Sequence, residues 1–137
     1  MKAILFQIGD YQFISNLDYV FKITDRGEVL LNEGRIIYQD YNFTDLTMEV
    51  RDIIGSDYEW DYIILFANDC EQAGLGIGQA GEVIEAEAKN FYPLAEDFFK
   101  DNRIIFKQYY YDNSNNYRAI VFDFDLIKKV RRGEDNK

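Results

Sequence analysis

The sequence predicts an α+β fold, a mainly antiparallel sheet of about five to seven strands with two or three helices packed on one face. Three observations carry this expectation. Short stretches rich in Val, Ile, Phe and Tyr follow one another between turn residues, the pattern of neighbouring antiparallel strands. Tyr62-Ile63-Ile64-Leu65-Phe66-Ala67 is apolar almost throughout, as a strand buried on both faces must be. Two other stretches repeat their apolar residues at helical spacing. At 137 residues, the chain is expected to form one domain over 1–137 around a single core. With 47% apolar residues, nine Gly and one Pro, it is neither disordered nor linker-like.

Taken in order, Ala3 to Ile8 reads as a first strand ended by Gly9-Asp10. Tyr11 to Leu17 is ambiguous. Tyr19, Phe21 and Ile23 alternate with Val20, Lys22 and Thr24 before the turn Asp25-Arg26-Gly27, which predicts a strand. Glu28 to Leu31 and Arg35 to Tyr38, joined by Asn32-Glu33-Gly34, extend it to a three-stranded meander. Asn42 is a candidate N-cap, with Phe43, Leu46, Val50 and Ile53 or Ile54 on one face of a first helix that Gly55 ends. Tyr62 to Ala67 is then the central strand, and Asn68 to Gly81 a polar, Gly-rich loop.

Ile84, Ala88, Phe91, Leu94 or Ala95, and Phe98 recur at helical intervals, and Pro93 makes of them two helices or one kinked helix, Glu82 to Tyr92 and Pro93 to Lys100. Arg103 to Tyr111 and Tyr117 to Phe124 flank Asp112-Asn113-Ser114-Asn115-Asn116, the clearest hairpin signal in the chain. A short helix, Leu126 to Val130, closes the sequence, and the tail of about 131–137 is expected to fray.

Composition removes most enzyme chemistry. There is no His and one Cys, and the three Ser are Ser15, Ser56 and Ser114, so no His-based triad, His-containing zinc site or internal disulfide is available. No catalytic residue, metal or cofactor is expected. The N-terminus carries too short an apolar run for a signal peptide or a membrane span, which points to the cytoplasm and to no membrane partner. Cys70, between Asp69 and Glu71, fits a reducing compartment as an unreactive, buried or half-buried thiol. The net charge of −10 argues against direct nucleic-acid binding, which needs clustered Lys and Arg.

Two motifs invite a ligand. Gly76-Ile77-Gly78-Gln79-Ala80-Gly81 fits G-x-G-x-x-G, the pattern of a dinucleotide-binding turn. Asn68 to Leu75 separate it from the preceding strand, however, and no Lys or Arg lies between Arg51 and Lys89. Asp112, Ser114 and Asn116 imitate the start of a calcium loop, but Tyr117 stands where the sharp turn requires Gly, which leaves a polar hairpin loop.

The charge distribution points to a protein partner. From Asp40 to Ala88 twelve acids face Arg51 alone, a local charge of −11, and Tyr41, Phe43, Tyr58, Trp60 and Tyr62 are interleaved with them. Carboxylates mixed with Tyr and Trp suit a binding surface with aromatic anchors and a charged rim. The expected contact residues are Asp45, Glu49, Asp52, Asp57, Tyr58, Glu59, Trp60, Asp69, Glu71, Glu82 and Glu85. Small size, acidity and missing catalytic equipment suggest an immunity protein that covers the basic active site of a cognate toxin. A phage-encoded mimic of nucleic acid, directed at a nucleic-acid-binding enzyme, has the same profile. A nucleotide-binding module or enzyme built on Gly76 to Gly81 is the alternative from a different class.

Overall fold

The computed structural model describes residues 1–99 and 106–125. These residues form twelve strands in two six-stranded sheets and one α-helix. The α+β expectation, with two or three helices on one face of one sheet, is therefore overturned: the fold is a pair of curled, barrel-like sheets.

The first sheet takes strands from both ends of the chain. It contains β1 (Lys2–Ile8), β2 (Tyr11–Asn16), β9 (Gln79–Glu85), β10 (Phe91–Pro93), β11 (Gln108–Asp112) and β12 (Tyr117–Val121), in the order β10-β11-β12-β2-β1-β9. The second sheet is built from the continuous middle of the chain. It contains β3 (Val20–Asp25), β4 (Leu30–Asn32), β5 (Arg35–Tyr38), β6 (Tyr41–Asp45), β7 (Tyr62–Ala67) and β8 (Gln72–Ile77), in the order β3-β7-β8-β6-β5-β4. Pairing is antiparallel except at β12 with β2 and β6 with β8.

Strands β1 and β7 bury both faces, which explains their apolar runs. Ala3, Leu5, Ile14, Ile84, Tyr110 and Ala119 fill the curl of the first sheet, and Ile36, Phe43, Ile63 and Leu65 fill that of the second. Between the sheets lies the largest cluster, in which Phe6, Phe13 and Ile120 meet Ile64, Phe66, Leu75 and Ile77. Period-two alternation sends adjacent residues of one strand to different clusters, Phe6 inward between sheets and Leu5 into its own curl.

The helix α1 (Thr47–Ile54) packs Val50, Ile53 and Ile54 into the central cluster. It ends at Gly55, which takes the left-handed conformation at φ 76°. Its start differs from expectation. Asn42 is in strand β6, where its carboxamide oxygen accepts from Arg35 Nε at 2.7 Å. Asp45 Oδ1 caps the helix instead, accepting from the Thr47 amide at 2.9 Å. Phe43 looked helical because it lies three residues before Leu46, yet it belongs to the curl of the second sheet through register with Ile36.

The expected meander is displaced by one strand. β4, β5 and β6 form it, whereas β3 crosses to pair with β7. A bulge in β3 between Val20 and Lys22 frees Phe21, whose ring reaches Tyr41 and Phe43 at centroid distances of 4.9 and 5.6 Å.

The two helices expected over 82–100 are also overturned. Residues 79–85 form strand β9, whose Val83 and Glu85 are exposed while Ile84 is buried. Residues 88–90 make one 3-10 turn, and Pro93 closes the edge strand β10, where its missing N–H leaves no ladder bond unmade at the sheet centre. Ala88, assigned to an apolar helix face, is exposed, and Lys100 lies outside the described residues. The hairpin β11–β12 forms as the sequence suggests, with Asp112 opposite Tyr117 and the polar loop between them. The start of its first strand at 103–105, the helix expected at 126–130 and the fraying expected at 131–137 fall outside the described residues.

Candidate functional site

The Gly-rich segment is a structural seam and offers no phosphate loop. Gln72 to Ile77 form β8, one of the two innermost strands of the second sheet, and Gly81 lies within strand β9 instead of opening a helix. Gly74 and Gly76 are there because neighbours occupy the space above them. A Cβ at Gly74 would stand 2.8 Å from Leu65 Cδ2 and 3.0 Å from the Ile64 carbonyl oxygen, and one at Gly76 would clash with the Trp60 indole, 2.6 Å from its Cγ and Cε3. At Gly78 the chain passes from one sheet to the other, and its amide donates to the Gln7 oxygen at 2.8 Å. At Gly81 a Cβ would sit 2.9 Å from the Leu5 oxygen, beside the irregularity in the β1–β9 register. The nucleotide-binding reading is corrected on this ground: these glycines answer to backbone and side-chain approach within the sheets.

Trp60 and Tyr58, expected as partner anchors, are held by the protein's own groups. Trp60 packs on the cluster of Ile36, Phe43, Ile63 and Leu65. The Arg26 guanidinium lies 3.9 Å from the centre of its ring, a cation–π contact that covers its outer side. Tyr58 packs against the central cluster, and its hydroxyl donates to the Gly76 oxygen at 2.9 Å. Burial pushes its phenol pKa up, and the nearby Asp45 carboxylate pushes it further. On the opposite side of the same residue, the Gly76 amide donates to Thr47 Oγ1 at 2.9 Å. Helix, loop and strand thus meet at one glycine.

The expected acidic surface is spread over three places. Asp45, Glu49, Asp52 and Asp57 lie on α1 or beside it. Asp45 is half-buried as the helix cap, Glu49 is half-buried, Asp52 is exposed, and Asp57 pairs with Arg51 Nε at 3.2 Å. Glu59, exposed, precedes Trp60. Asp69 and Glu71 sit in the β7–β8 turn, at the far end of β7 from Glu59, and the exposed Cys70 lies between them. Turn geometry sets that exposure, since Asn68 Oδ1 accepts from both the Cys70 and Glu71 amides. Glu82 and Glu85 are on β9 of the other sheet, where Glu85 pairs with the Met1 ammonium at 2.9 Å.

What the sequence reading missed is apolar and exposed. Leu30 is 61% and Leu31 38% exposed on the edge strand β4, and Phe21 and Tyr41 are 42% and 43% exposed at the rim of the same sheet. Three consecutive exposed residues on an edge leave main-chain groups and side chains together at the surface. The sequence signal was present in Leu30-Leu31 next to Asn32-Glu33-Gly34, a short apolar pair at a turn. No helix of the described residues is long and apolar enough to cross a membrane.

No family model matches the chain, and no curated protein matches it. Among solved structures it is similar to the scaffolding protein TtCheW from Thermoanaerobacter tengcongensis, with a TM-score of 0.70 over 88% of this chain and 86% of that one. The aligned residues are 14% identical. That likeness overturns the immunity-protein, toxin-inhibitor and nucleic-acid-mimic readings, with the toxin or nucleic-acid enzyme they implied as partner, because the architecture is one seen in a scaffolding protein. The two curled sheets of this chain therefore have, over nearly their whole length, the fold of the scaffolding protein TtCheW.

Proposed function

We propose that this chain is a non-catalytic scaffold that holds other proteins in place, working in the cytoplasm. The observation that carries this reading is the likeness of fold to a scaffolding protein across nearly the full length of both chains. A function carried by fold alone is an analogy, and features of this chain's own surface support it. The edge strand β4 presents Leu30 and Leu31, and the rim of the same sheet presents Phe21 and Tyr41. Exposed apolar groups on a rigid sheet are what a protein contact buries. Of the expected contact residues, Glu59 beside Trp60 and the exposed Asp52 are retained as rim positions, where a charge governs association more than affinity. Tyr58, Trp60 and Asp45 act within the fold.

The test is crosslinking and mass spectrometry of the tagged protein in its host, with the Leu30→Glu/Leu31→Lys variant alongside. A scaffold yields stoichiometric protein partners whose crosslinks map to the second sheet and disappear in the variant, while circular dichroism stays unchanged. A monomer without protein partners, or crosslinks unaffected by the variant, contradicts the proposal.

A further inference from the structure

The turn between β4 and β5 fixes which main-chain groups of β4 stand free. Glu33 and Gly34, at φ 48° and 80°, make a two-residue turn of the kind that matches strand twist. In such a hairpin the residues that close the turn, Asn32 and Arg35, exchange both main-chain hydrogen bonds, and bonded and unbonded pairs alternate from there. Leu30 therefore bonds to Ile37, while the N–H and C=O of Leu31 point away from β5. Because β4 is the last strand of its sheet, they point out of the sheet altogether.

The side chains end as abruptly as the ladder. Register places Leu31, Ile36 and Phe43 in one row across β4, β5 and β6, on the face turned into the curl. Ile36 and Phe43 are 1% and 0% exposed, whereas Leu31 is 38% exposed and Leu30, on the opposite face, 61%. Hydrogen-bond ladder and apolar row thus stop together at an open edge. A strand laid beside β4 continues both.

Charge selects the occupant. Glu28 and Glu33 flank β4, both are exposed, and neither forms a salt bridge among the described residues. The neighbouring bases are turned elsewhere: Arg35 donates to Asn42 Oδ1 at 2.7 Å and to Thr44 Oγ1 at 3.1 Å on β6, and Arg26 lies over the Trp60 ring. A second copy of this chain fits poorly, since antiparallel pairing about Leu31 brings Glu28 of one copy beside Glu33 of the other, and like charges across a strand pair repel. Building on the scaffold reading, we infer that β4 takes up an extended segment of a partner protein as an added antiparallel strand, its apolar residues against Leu30 and Leu31 and its Lys or Arg beside Glu28 and Glu33. An edge strand of three residues offers few main-chain bonds, so the contact is weak and readily reversed.

The test uses the full chain with the capped peptide acetyl-KTVIVTK-amide and three relatives: ETVIVTE capped alike, the first peptide N-methylated at its isoleucine, and the first peptide N-methylated at the valine before it. Titration followed by backbone amide shifts should give a Kd of about 10 µM to 1 mM, with the largest shifts at Leu30, Leu31 and Asn32. The Glu-ended peptide should bind about fivefold or more weakly, and the gap should close at about 0.5 M NaCl. The isoleucine stands opposite Leu31, so methylating its nitrogen removes the bond to the Leu31 oxygen and should cost about fivefold or more, whereas the valine N–H faces solvent and its methylation should cost less than about twofold. In the protein, Leu31→Pro removes the outward N–H without touching the bonds to β5, and it should bind the peptide more weakly than Leu31→Ala, both keeping the circular dichroism of the parent. Absence of binding, equal affinity of the Lys-ended and Glu-ended peptides, equal losses from the two methylations, or shifts centred away from β4 would each overturn the added strand. Any of these with protein crosslinks that still vanish in Leu30→Glu/Leu31→Lys would leave the scaffold reading standing. Peptide binding as expected, with no protein crosslinks in the host, would support the added strand and overturn that reading alone.

Discussion

The indole of Trp60 fills the space that a side chain at position 76 would need, so a Cβ built on Gly76 stands only 2.6 Å from its Cγ and Cε3. Replacing Gly76 by Ala therefore forces the indole off the curl of the second sheet. The expected loss of stability is about 1–3 kcal/mol, the range for overpacking a well-filled interior. Trp60 is the single Trp of the chain, so its emission should also shift to the red in the folded variant. Denaturant unfolding followed by fluorescence and by circular dichroism checks both. An unchanged midpoint with an unchanged spectrum would place the indole elsewhere.

Arg26 covers the other side of that ring, 3.9 Å from its centre. Arg26→Ala should lower stability by about 0.5–1 kcal/mol and raise the accessibility of Trp60 to acrylamide. Arg26→Lys should restore part of the charge effect but little of the stacking, since an ammonium lacks the flat face of a guanidinium. Equal quenching in all three proteins would refute the contact.

Thr47 is 5% exposed, and its hydroxyl accepts the Gly76 amide hydrogen. Thr47→Val keeps the shape and leaves a buried N–H unmatched, at an expected cost of about 1–3 kcal/mol. Thr47→Ser should recover most of it. Amide hydrogen exchange gives the specific signature: Gly76 should exchange faster in Thr47→Val than in Thr47→Ser.

The phenol of Tyr58 has a pKa raised in the folded state, chiefly by burial and then by Asp45. Below the unfolded-state value of about 10, both states are protonated and the full stability is present. As the pH rises above it, the unfolded chain ionises first, so stability falls by up to about 1.4 kcal/mol per pH unit for this group. Tyr19 and Tyr117 are shifted the same way, by hydrogen bonds to Asp125 and Glu82, and add to the decline. Tyr58→Phe should be less stable at neutral pH, for want of the bond to the Gly76 oxygen, and lose stability less steeply in alkali. Parallel curves for wild type and variant would show that Tyr58 titrates normally.

The strands were legible wherever one residue sequence decided its own pairing. The run Ala3 to Ile8 announces a strand, Tyr62 to Ala67 announces burial on both faces, and the loop Asp112 to Asn116 announces a hairpin. The segment from Gln72 to Glu85 was not legible. Its glycines read as a loop, since nothing in the local sequence says that Trp60 and Leu65 will lie over Gly76 and Gly74. Beyond it, Ile84, Ala88 and Phe91 match a helical period by coincidence, and long-range pairing of β9 with β1 decided their conformation. The candidate site suffered for the same reason. Acidity and aromatic content were visible, but which of Trp60, Tyr58 and Asp45 faces inward depends on helix α1 and strand β8 meeting at Gly76.

The division of the chain between the sheets sets an order of assembly. Residues 20–77 contain every strand of the second sheet, so that sheet closes over short sequence distances. The first sheet joins Lys2 to Glu85 and Phe13 to Ile120, contacts whose closure costs more chain entropy and slows folding. During synthesis, β1 and β2 emerge first and can pair only with each other, while their outer partners β9 and β12 are made after an entire second sheet. The middle of the chain can fold as it leaves the ribosome, whereas the hairpin made first keeps both its outer edges open until β9 and β12 arrive.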